Sequence, residues 1–282
     1  MNYPDHRLLV DPLWLAEHLD DKNIVLIDCV FDSNAYSRAH ILGAIMRPGT
    51  PYIKSVNADG NPALHLPSPQ EFASLMNQMG VGTDTSVVCY DEWGSLWATR
   101  LWWALRVYGH TKTRILNGGW QGWVSRELPV SYKMVKPEKP EKPFHSRFRE
   151  EFVVSLDTLE KEYNSPNWKL IDVRSTDEYY GVRPETNKRL GHIPGAIHLE
   201  WTQLAKNGRN KEAIREFRSP SELEEIFSNV GITRDKTIVT YCQSAIRATH
   251  TAFALELLGY PNVRVYDGSM KEWANLEHTP LI

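Results

Sequence analysis

The stretch Val239-Thr-Tyr-Cys242-Gln-Ser-Ala-Ile-Arg247-Ala-Thr-His250 joins an apolar, β-branched run to a pattern typical of a helix. It predicts a strand that ends at Cys242 and a helix that begins a few residues later. The unpaired N–H groups and the dipole at a helix N-terminus favour an anion, and Arg247 adds a positive charge. We therefore expect the Cys242 thiol to ionise below its ordinary pKa of about 8.5, which makes Cys242 the candidate nucleophile.

Two other cysteines provide an internal comparison. Cys29 has no helical pattern directly after it, and Cys89 lies inside the apolar run 86–90. Proteins frequently bury free cysteine as a small apolar residue, so we interpret both as core residues. Burial without chemistry is also the alternative for Cys242, and an internal repeat is what favours catalysis there.

The repeat relates the two halves of the chain. Val88-Cys-Tyr-Asp91 matches Val239-Thr-Tyr-Cys242 at an offset of 151 residues, whereas Ala98 matches Ala248 at an offset of 150. The loop after Asp91 is therefore one residue longer than the loop after Cys242. Because the first copy has Asp91 at the position where the second copy has Cys242, we predict an inactive first copy and an active second copy.

The second copy also contains an insertion. The interval from Asp to His is 12 residues in the first copy (His40 minus Asp28) and 20 in the second (His192 minus Asp172). The eight extra residues lie within 181–190, and their cations are Arg183, Lys188 and Arg189. A cationic insertion in the copy that has the cysteine points to anion binding, and a solvated charged loop is the alternative.

Bulk properties predict an ordinary two-domain protein. The chain has 282 residues, a net charge of -3 and three cysteines, which suits two domains and provides no disulfide framework. The charge gives no nucleic-acid footprint, and we find no signal peptide and no apolar run long enough to cross a membrane. We therefore expect a cytoplasmic protein, a monomer, with no nucleic-acid or membrane partner.

A proline-rich segment separates the copies. Three prolines alternate with charges in residues 136–143, so neither a helix nor a central strand can persist there. We therefore expect a first domain over 1–132, an extended Pro/Lys-rich linker over 133–150, and a second domain over 151–282. The apolar residues expected to hold this linker against a domain surface are Met134, Val135, Phe144 and Phe148.

Short apolar runs alternate with helical patterns in both copies. Ser68-Pro-Gln-Glu71 and Ser219-Pro-Ser-Glu222 are typical helix starts, with an N-cap, a proline and an acid in succession. This alternation predicts an α/β fold with parallel sheets covered by helices on both faces. In such sheets ligands bind at the carboxyl ends of the strands, where Cys242 falls.

Together these motifs resemble a two-domain rhodanese of the thiosulfate/3-mercaptopyruvate sulfurtransferase family. The resemblance covers nearly the whole chain, and its marks are Tyr90-Asp91, Ala98 to Trp103, Tyr108 to His110, Leu116 to Trp120, Gly191 to Ala196 and Cys242 to Arg247. It implies two tandem rhodanese-like domains, each a mainly parallel sheet flanked by helices. It also implies that the first domain is inactive and that Cys242 is catalytic. The backbone N–H groups implied to hold a persulfide belong to Gln243, Ser244, Ala245, Ile246 and Arg247.

The chemistry of sulfur transfer fits a thiolate. A thiolate that attacks thiosulfate expels sulfite and becomes a persulfide, whose outer sulfur passes to cyanide or a thiol acceptor. No metal or organic cofactor is required, and the ten histidines show no zinc-type spacing. The loop resembles that of some bacterial thiosulfate rhodaneses, so we expect thiosulfate as the donor and 3-mercaptopyruvate as the alternative.

We expect three cations to bind the donor, namely Arg247, Arg183 and Arg189. Glu178 is a departure, because many relatives have a donor-binding arginine at this position. Two hypotheses from other classes also remain: a Cys-dependent phosphatase or arsenate reductase, and a non-catalytic docking module for a sulfur carrier. The phosphatase pattern needs its arginine at the sixth residue after the cysteine, whereas Arg247 is the fifth.

Overall fold

The computed structural model describes residues 3–47, 50, 53–59, 61–182, 187–210 and 212–282. Contacts divide the chain into two compact units. One unit comprises Arg7–Arg149 and Ala205–Phe217, and the other comprises Glu150–Leu204, Arg218–Ile282 and the N-terminal segment up to His6. The residues up to His6 thus belong to the unit that contains most of the second half of the chain, and residues 205–217 belong to the unit that contains most of the first half. A division of the chain at the linker alone would place both segments in the other unit.

The first unit contains a parallel sheet. The strands among its described residues are β1 (Leu9–Val10), β2 (Ile24–Asp28), β3 (His40–Ile41), β4 (Ile45–Met46), β5 (Ser86–Tyr90), β6 (Thr113–Leu116) and β7 (Val130–Ser131). Its helices are α1 (Pro12–Glu17), α2 (Ser33–Arg38), α3 (Pro69–Gln78), α4 (Leu96–Val107) and α5 (Gly119–Val124). The parallel strands follow the spatial order β1-β6-β5-β2-β4, and β3 pairs with β7 in antiparallel fashion.

The second unit repeats this sheet. Its strands are β8 (Val153–Val154), β9 (Trp168–Asp172), β10 (Ile197–His198), β11 (Thr237–Tyr241) and β12 (Val263–Tyr266). Its helices are α6 (Leu156–Glu162), α7 (Thr176–Tyr179), α8 (Pro220–Asn229), α9 (Ile246–Leu257) and α10 (Ser269–Trp273). All pairs are parallel, in the order β10-β9-β11-β12-β8, which matches the first sheet strand for strand. The α/β prediction is confirmed.

The bounds of the strands and helices show the change of the repeat offset from 151 to 150 residues. Strands β5 and β11 begin at Ser86 and Thr237, an offset of 151 residues, whereas helices α4 and α9 begin at Leu96 and Ile246, an offset of 150. The extra residue of the first copy therefore lies in the loop between strand and helix. Both loops end in a residue of left-handed conformation directly before the helix, at a φ of 70° and 66° respectively.

Helices α3 and α8 are capped at their N-termini by the side chains that the sequence predicted. Ser68 caps α3 and Ser219 caps α8, and each serine exchanges hydrogen bonds with the acid three residues later. The Ser68 N–H donates to Glu71 at 2.7 Å, and the Ser219 N–H donates to Glu222 at 2.9 Å. These reciprocal bonds satisfy N–H groups that the first helical turn leaves unpaired, so local sequence is sufficient to set both starts.

Each sheet packs its strands against helices through an apolar core. Residues of the first core include Leu15, Leu26, Val88, Leu116 and Trp123. Residues of the second include Leu159, Leu170, Val239, Met270 and Trp273. Because strands β2, β5, β9 and β11 lie inside their sheets, they are buried over most of their length and read as continuous apolar runs.

The proline-rich segment has neither helix nor strand between residues 132 and 149. It is held on the first unit by Phe144, which is 3% exposed, lies 5.7 Å from the ring of Phe72 and donates its N–H to the Asn77 side chain. Met134 and Phe148 are 65% and 50% exposed, so Phe144 is the main apolar anchor among the four expected. Among the described residues, no helix combines the length and the apolar character that crossing a bilayer requires.

Candidate active site

Cys242 lies at the carboxyl edge of the second sheet. It follows the last residue of β11, is 1% exposed, and precedes α9 by a loop in which Ala245 has a φ of 66°. The Cys242 N–H donates to the Ser269 hydroxyl at 3.2 Å, and its carbonyl accepts from Met270 at 3.0 Å. These two hydrogen bonds to the first turn of α10 hold the backbone of Cys242 in place, as a positioned nucleophile requires.

The other two cysteines lie in the core of the first unit. Cys29 and Cys89 are 2% and 0% exposed. Burial, together with the neighbouring Cys89, raises the pKa of the Cys29 thiol well above its ordinary value. A thiol held neutral is a poor nucleophile, and this supports the interpretation of Cys29 as a core residue.

The first copy shows what such a loop can hold. The Asp91 carboxylate is buried, and each of its oxygens accepts two backbone N–H groups. One oxygen accepts from Trp93 at 2.7 Å and Ser95 at 2.9 Å, and the other accepts from Trp97 at 2.7 Å and Ala98 at 2.8 Å. The strand-to-helix loop therefore directs its N–H groups at the side chain that ends the strand. Burial raises the pKa of Asp91, and these four hydrogen bonds oppose that effect by stabilising the carboxylate.

Arg247 is paired with Glu178, a contact that the sequence did not reveal. Both terminal nitrogens of the guanidinium donate to the Glu178 carboxylate, at 2.6 and 2.7 Å. The Glu178 side chain is 6% exposed and the Arg247 side chain 23%. Glu178 also accepts from the N–H and the hydroxyl of Ser175, as the acid of the capping box that begins α7.

This environment determines the charge of the pair. Burial by itself raises the pKa of Glu178, but the hydrogen bonds and charge of Arg247, with the Ser175 donors, outweigh it and hold the pKa at about 2. Burial opposes the charge of Arg247 in turn, and its bonds to Glu178 and the field of Cys242 raise its pKa above the ordinary value. Both groups are ionised near neutral pH, so the pair is close to neutral overall.

A second buried ion pair supports the end of β9. Arg174 is 2% exposed and donates through its ε and terminal nitrogens to Asp172, with distances of 2.6 to 3.0 Å. The same terminal nitrogen donates to the carbonyl of Gly191 at 2.7 Å. Sequence reasoning did not single out Arg174, although its position two residues after a strand-end aspartate was a usable signal.

The insertion contacts the catalytic loop through an uncharged residue. The amide of Asn187 exchanges two hydrogen bonds with the side chain of Gln243, at 2.7 and 3.0 Å, and accepts from Asn275 at 3.3 Å. Gln243 directly follows the cysteine, so these amides connect the insertion to the nucleophile's own loop. The sequence search looked for charges in this segment and missed Asn187.

The cations of the insertion have different surroundings. The Arg189 guanidinium donates to the carbonyls of Trp273, Leu276 and Thr279 and to the Thr279 hydroxyl, which places it at the carboxyl end of α10. Lys188 is exposed, and Arg183 lies outside the described residues. The structure thus brings Arg247 close to Cys242 and engages Arg189 with carbonyl groups, and donor binding by Arg183 and Arg189 stays a prediction.

The model of the rhodanese-like domain matches this chain twice, over residues 11–126 and 155–276. The chain belongs to the rhodanese-like family. Each of its sheets with the covering helices is a rhodanese domain, and the sequence resemblance is confirmed.

Related proteins place this rhodanese among the sulfurtransferases. The chain is 34% identical to the 3-mercaptopyruvate sulfurtransferase of Escherichia coli, over 95% of both chains. It is 33% identical to the thiosulfate sulfurtransferase of Corynebacterium glutamicum, over 99% of this chain and 91% of that protein. A third relative, 34% identical over 100% of this chain and 98% of its own length, is named sulfur carrier protein TtuD of Thermus thermophilus.

Solved structures show the same architecture. SseA from Escherichia coli, described as a 3-mercaptopyruvate sulfotransferase of the rhodanese fold, matches with a TM-score of 0.78 and 33% identity, over 93% of this chain and 98% of that one. A variant of EanB in complex with ergothioneine matches with a TM-score of 0.84 and 26% identity, over 98% of this chain and 70% of that one. The named relatives include both donor types, so they establish the sulfurtransferase family and leave the donor open.

Proposed function

We propose that this rhodanese transfers a sulfane sulfur from thiosulfate to cyanide or a thiol through a persulfide on Cys242. The observation that carries the proposal is the position of Cys242, at the end of β11 in a strand-to-helix loop whose counterpart holds the Asp91 carboxylate with four N–H groups. A cradle that holds a carboxylate in one copy suits a thiolate or persulfide in the other.

The proposed reaction has two displacement steps. The Cys242 thiolate attacks the outer sulfur of thiosulfate, the sulfur–sulfur bond of the donor breaks, and sulfite leaves with the bonding electron pair. Cyanide or a thiolate then attacks the outer sulfur of the persulfide, and the Cys242 thiolate is released. Each step exchanges one anion for another, so fixed N–H dipoles can stabilise the charge throughout without reorganising.

The loop residues 243–247 supply those dipoles in the proposal. Ala245 in its left-handed conformation turns the chain into α9, as Ser95 does before α4 in the first copy. Arg247 follows two residues later, with its side chain partly exposed, and it can meet an anionic donor on the solvent side. The first domain, which has Asp91 at the position of the nucleophile, is inactive in this proposal.

Thiosulfate is the proposed donor because a compact dianion gains more than a keto acid from positive charge near the reacting sulfur. One observation favours 3-mercaptopyruvate as the second candidate. Glu178 engages both terminal nitrogens of Arg247, and this reduces the field that a dianion would experience. Initial rates with the two donors, at the same concentration of cyanide, give kcat/KM for each. Thiosulfate is expected to have the higher value, and a preference for 3-mercaptopyruvate of about tenfold or more contradicts this proposal.

The role of the nucleophile is tested separately from the donor. Cys242→Ser is expected to abolish transfer, since an alcohol neither ionises near neutral pH nor forms a persulfide. Cys29→Ser and Cys89→Ser are the matched controls, and both are expected to retain activity. Intact-mass measurement after incubation with thiosulfate checks the intermediate: the wild type gains the mass of one sulfur atom. If Cys242→Ser gains the same mass and still releases sulfite, the assignment of Cys242 is wrong.

A further inference from the structure

The two copies differ at the residue that accompanies the strand-end aspartate. In the second copy Arg174 lies two residues after Asp172 and donates to that carboxylate and to the Gly191 carbonyl. In the first copy the residue two positions after Asp28 is Val30. Ala39 precedes His40 as Gly191 precedes His192, so the first copy keeps both acceptor positions and lacks the arginine.

A cavity occupies the corresponding place in the first unit. Its volume is about 330 Å³, and its lining includes Asp28, Val30, Ala39, Tyr90, Glu92 and Trp120. Pockets that hold small ligands have volumes of roughly 300–1,000 Å³, so this one accommodates a small group. The two residues equivalent to the acceptors of Arg174 both face the cavity, and Val30 is too short to fill it.

Among the described residues, the Asp28 carboxylate accepts hydrogen bonds only from uncharged donors. It is 4% exposed, accepts from the Tyr90 hydroxyl at 2.8 Å and is bonded to the N–H of Val30. Within the described parts of the chain it forms no ion pair. Burial, opposed by the Tyr90 bond and assisted by the nearby Glu92, raises its pKa to about 7. The buried cation Arg47 lies within electrostatic range of Asp28, but its guanidinium donates to the carbonyls of Val30 and Phe31. A buried carboxylate without a hydrogen-bonded cation is unfavourable, so a cation in direct contact with Asp28 is favoured.

The other groups of the cavity suit a planar cation. Glu92 adds a second acid, and Trp120 supplies an aromatic surface on which a guanidinium can stack. Arg38 also lines the cavity, and its side chain is exposed. Among the residues of the lining the two acids outnumber this cation, and the nearby Arg47 guanidinium is engaged by the Val30 and Phe31 carbonyls, so the cavity favours a ligand with positive charge.

We propose that this cavity of the first domain binds the guanidinium group of an organic cation. The guanidinium occupies the place that the Arg174 side chain fills in the second copy: its planar fork donates to the Asp28 carboxylate, and a remaining N–H donates to the carbonyl of Ala39. Guanidinium recognition by a carboxylate is bidentate and depends on this fork. The ligand comes either from a free small molecule or from an arginine side chain of a partner protein.

The test is an NMR titration of the full chain with methylguanidinium at millimolar concentration, following the backbone amides of Asp28, Val30 and Glu92. Saturable shifts of these signals are expected. Methylurea has the same shape and no charge, and it is expected to cause none. Val30→Arg supplies the missing guanidinium from within and is expected to weaken binding by at least about tenfold, as is Asp28→Asn. Val30→Ala is the matched control, and it leaves the acceptors in place and should retain binding.

Two further arms identify the source of the guanidinium. Agmatine represents a free small molecule, and N-acetylarginine amide represents an arginine in a chain. Tighter binding of agmatine indicates a free ligand, and tighter binding of the amide indicates a protein partner. The proposal is overturned if methylurea binds as well as methylguanidinium, if Asp28→Asn leaves the affinity unchanged, or if saturable shifts occur only at other sites. Asp28→Asn changes no volume, so the test does not depend on whether Val30→Arg folds.

Discussion

Two buried carboxylates of this rhodanese have pKa values shifted in opposite directions, although burial raises the pKa of both. Glu178 accepts hydrogen bonds from a guanidinium and from Ser175, and its pKa is about 2. Among the residues that the structure describes, Asp28 accepts hydrogen bonds only from a phenol hydroxyl and a backbone N–H, and its pKa is about 7. Asp28 and Glu178 are 4% and 6% exposed, so their different hydrogen-bond donors, and above all the Arg247 guanidinium, account for the opposite directions of their pKa shifts.

The Asp28 site predicts that stability depends on pH. Its pKa is higher in the folded chain than its ordinary value of 3.8, so the folded state binds the proton more tightly. Its contribution is therefore greatest below pH 4 and is lost as the pH rises through 7, a change of about 4 kcal/mol in the free energy of unfolding. Urea unfolding across this range measures it. Asp28→Asn is expected to remove this part of the slope, and an unchanged slope in Asp28→Asn contradicts the assignment.

The Glu178 site predicts an effect of opposite sign. Its folded pKa of about 2 lies below its ordinary value of 4.5, so its contribution is complete above pH 4.5 and is lost as the pH falls towards 2. Glu178→Gln is expected to lower stability at neutral pH, because it leaves the Arg247 guanidinium without its counter-charge. The difference from the wild type is expected to narrow in acid, and the same urea measurements test this.

The same substitution is expected to change the choice of donor. Glu178→Gln keeps an acceptor for Arg247 but removes the negative charge, so a dianionic donor experiences a stronger positive field. We expect the ratio of kcat/KM for thiosulfate to that for 3-mercaptopyruvate to rise by about fivefold, or about 1 kcal/mol. Asp177→Asn is the control, since Asp177 is exposed on the same helix. An equal rise in Asp177→Asn would assign the effect to net charge alone.

At the scale of the element, the strand-to-helix loop is the unit that the two copies share and use differently. In the first copy, Asp91 accepts hydrogen bonds from four N–H groups of the loop and the first helical turn. In the second copy, Cys242 ends the strand and the loop is one residue shorter. In the first domain the N–H groups of this loop are therefore occupied by Asp91 and stabilise the fold. In the second domain the equivalent loop is the proposed anion-binding site.

This view predicts a large loss of stability in Asp91→Ala. The substitution removes the acceptor of four buried N–H groups, and we expect the free energy of unfolding to fall by about 3 kcal/mol or more. Asp84→Ala is the matched control, because Asp84 is 57% exposed and pairs only with surface lysines. A much smaller change is expected there. Denaturant unfolding of the two variants decides this, and similar losses in both would show that the loop does not depend on Asp91.

At the scale of the whole molecule, residues 205–217 belong to the unit of the first copy although they lie within the second half of the chain. Phe217 is 3% exposed and donates its N–H to Asn117, and Arg215 donates to the Glu92 carbonyl. The residues on either side of this segment lie next to each other, because the Arg218 N–H donates to the Leu204 carbonyl at 3.0 Å.

This connectivity predicts how the second half behaves alone. A fragment of residues 150–282 lacks the partners of Phe217 and exposes an apolar side chain, which promotes aggregation. Replacing residues 205–217 with a short Gly-Asn turn removes Phe217 and is expected to reduce aggregation and raise the melting temperature of the fragment, because Leu204 and Arg218 already lie in hydrogen-bond contact. Light scattering and thermal unfolding compare the two fragments. Greater stability of the fragment with the intact segment contradicts the prediction.

The amino-acid sequence by itself determined the repeat, the order of strands and helices, and the place of Cys242 between a strand and a helix. The capping boxes at Ser68 and Ser219 and the one-residue difference between the loops were also predicted from sequence. These features depend on neighbours along the chain, through side-chain periodicity, hydrogen bonds at helix starts and loop length. Local interactions of this kind can be read without knowing the fold.

Only the tertiary structure decided which distant groups meet. Glu178 and Arg247 are 69 residues apart, and their pairing follows from the way α7 and α9 approach over one sheet edge. Likewise, the cavity beside Asp28 is lined by residues that are distant in sequence, such as Tyr90 and Trp120, and residues 205–217 belong to the unit of the first copy although they lie in the second half of the chain. The sequence contains many possible partners for each charge and each apolar side chain, and packing in three dimensions selects among them.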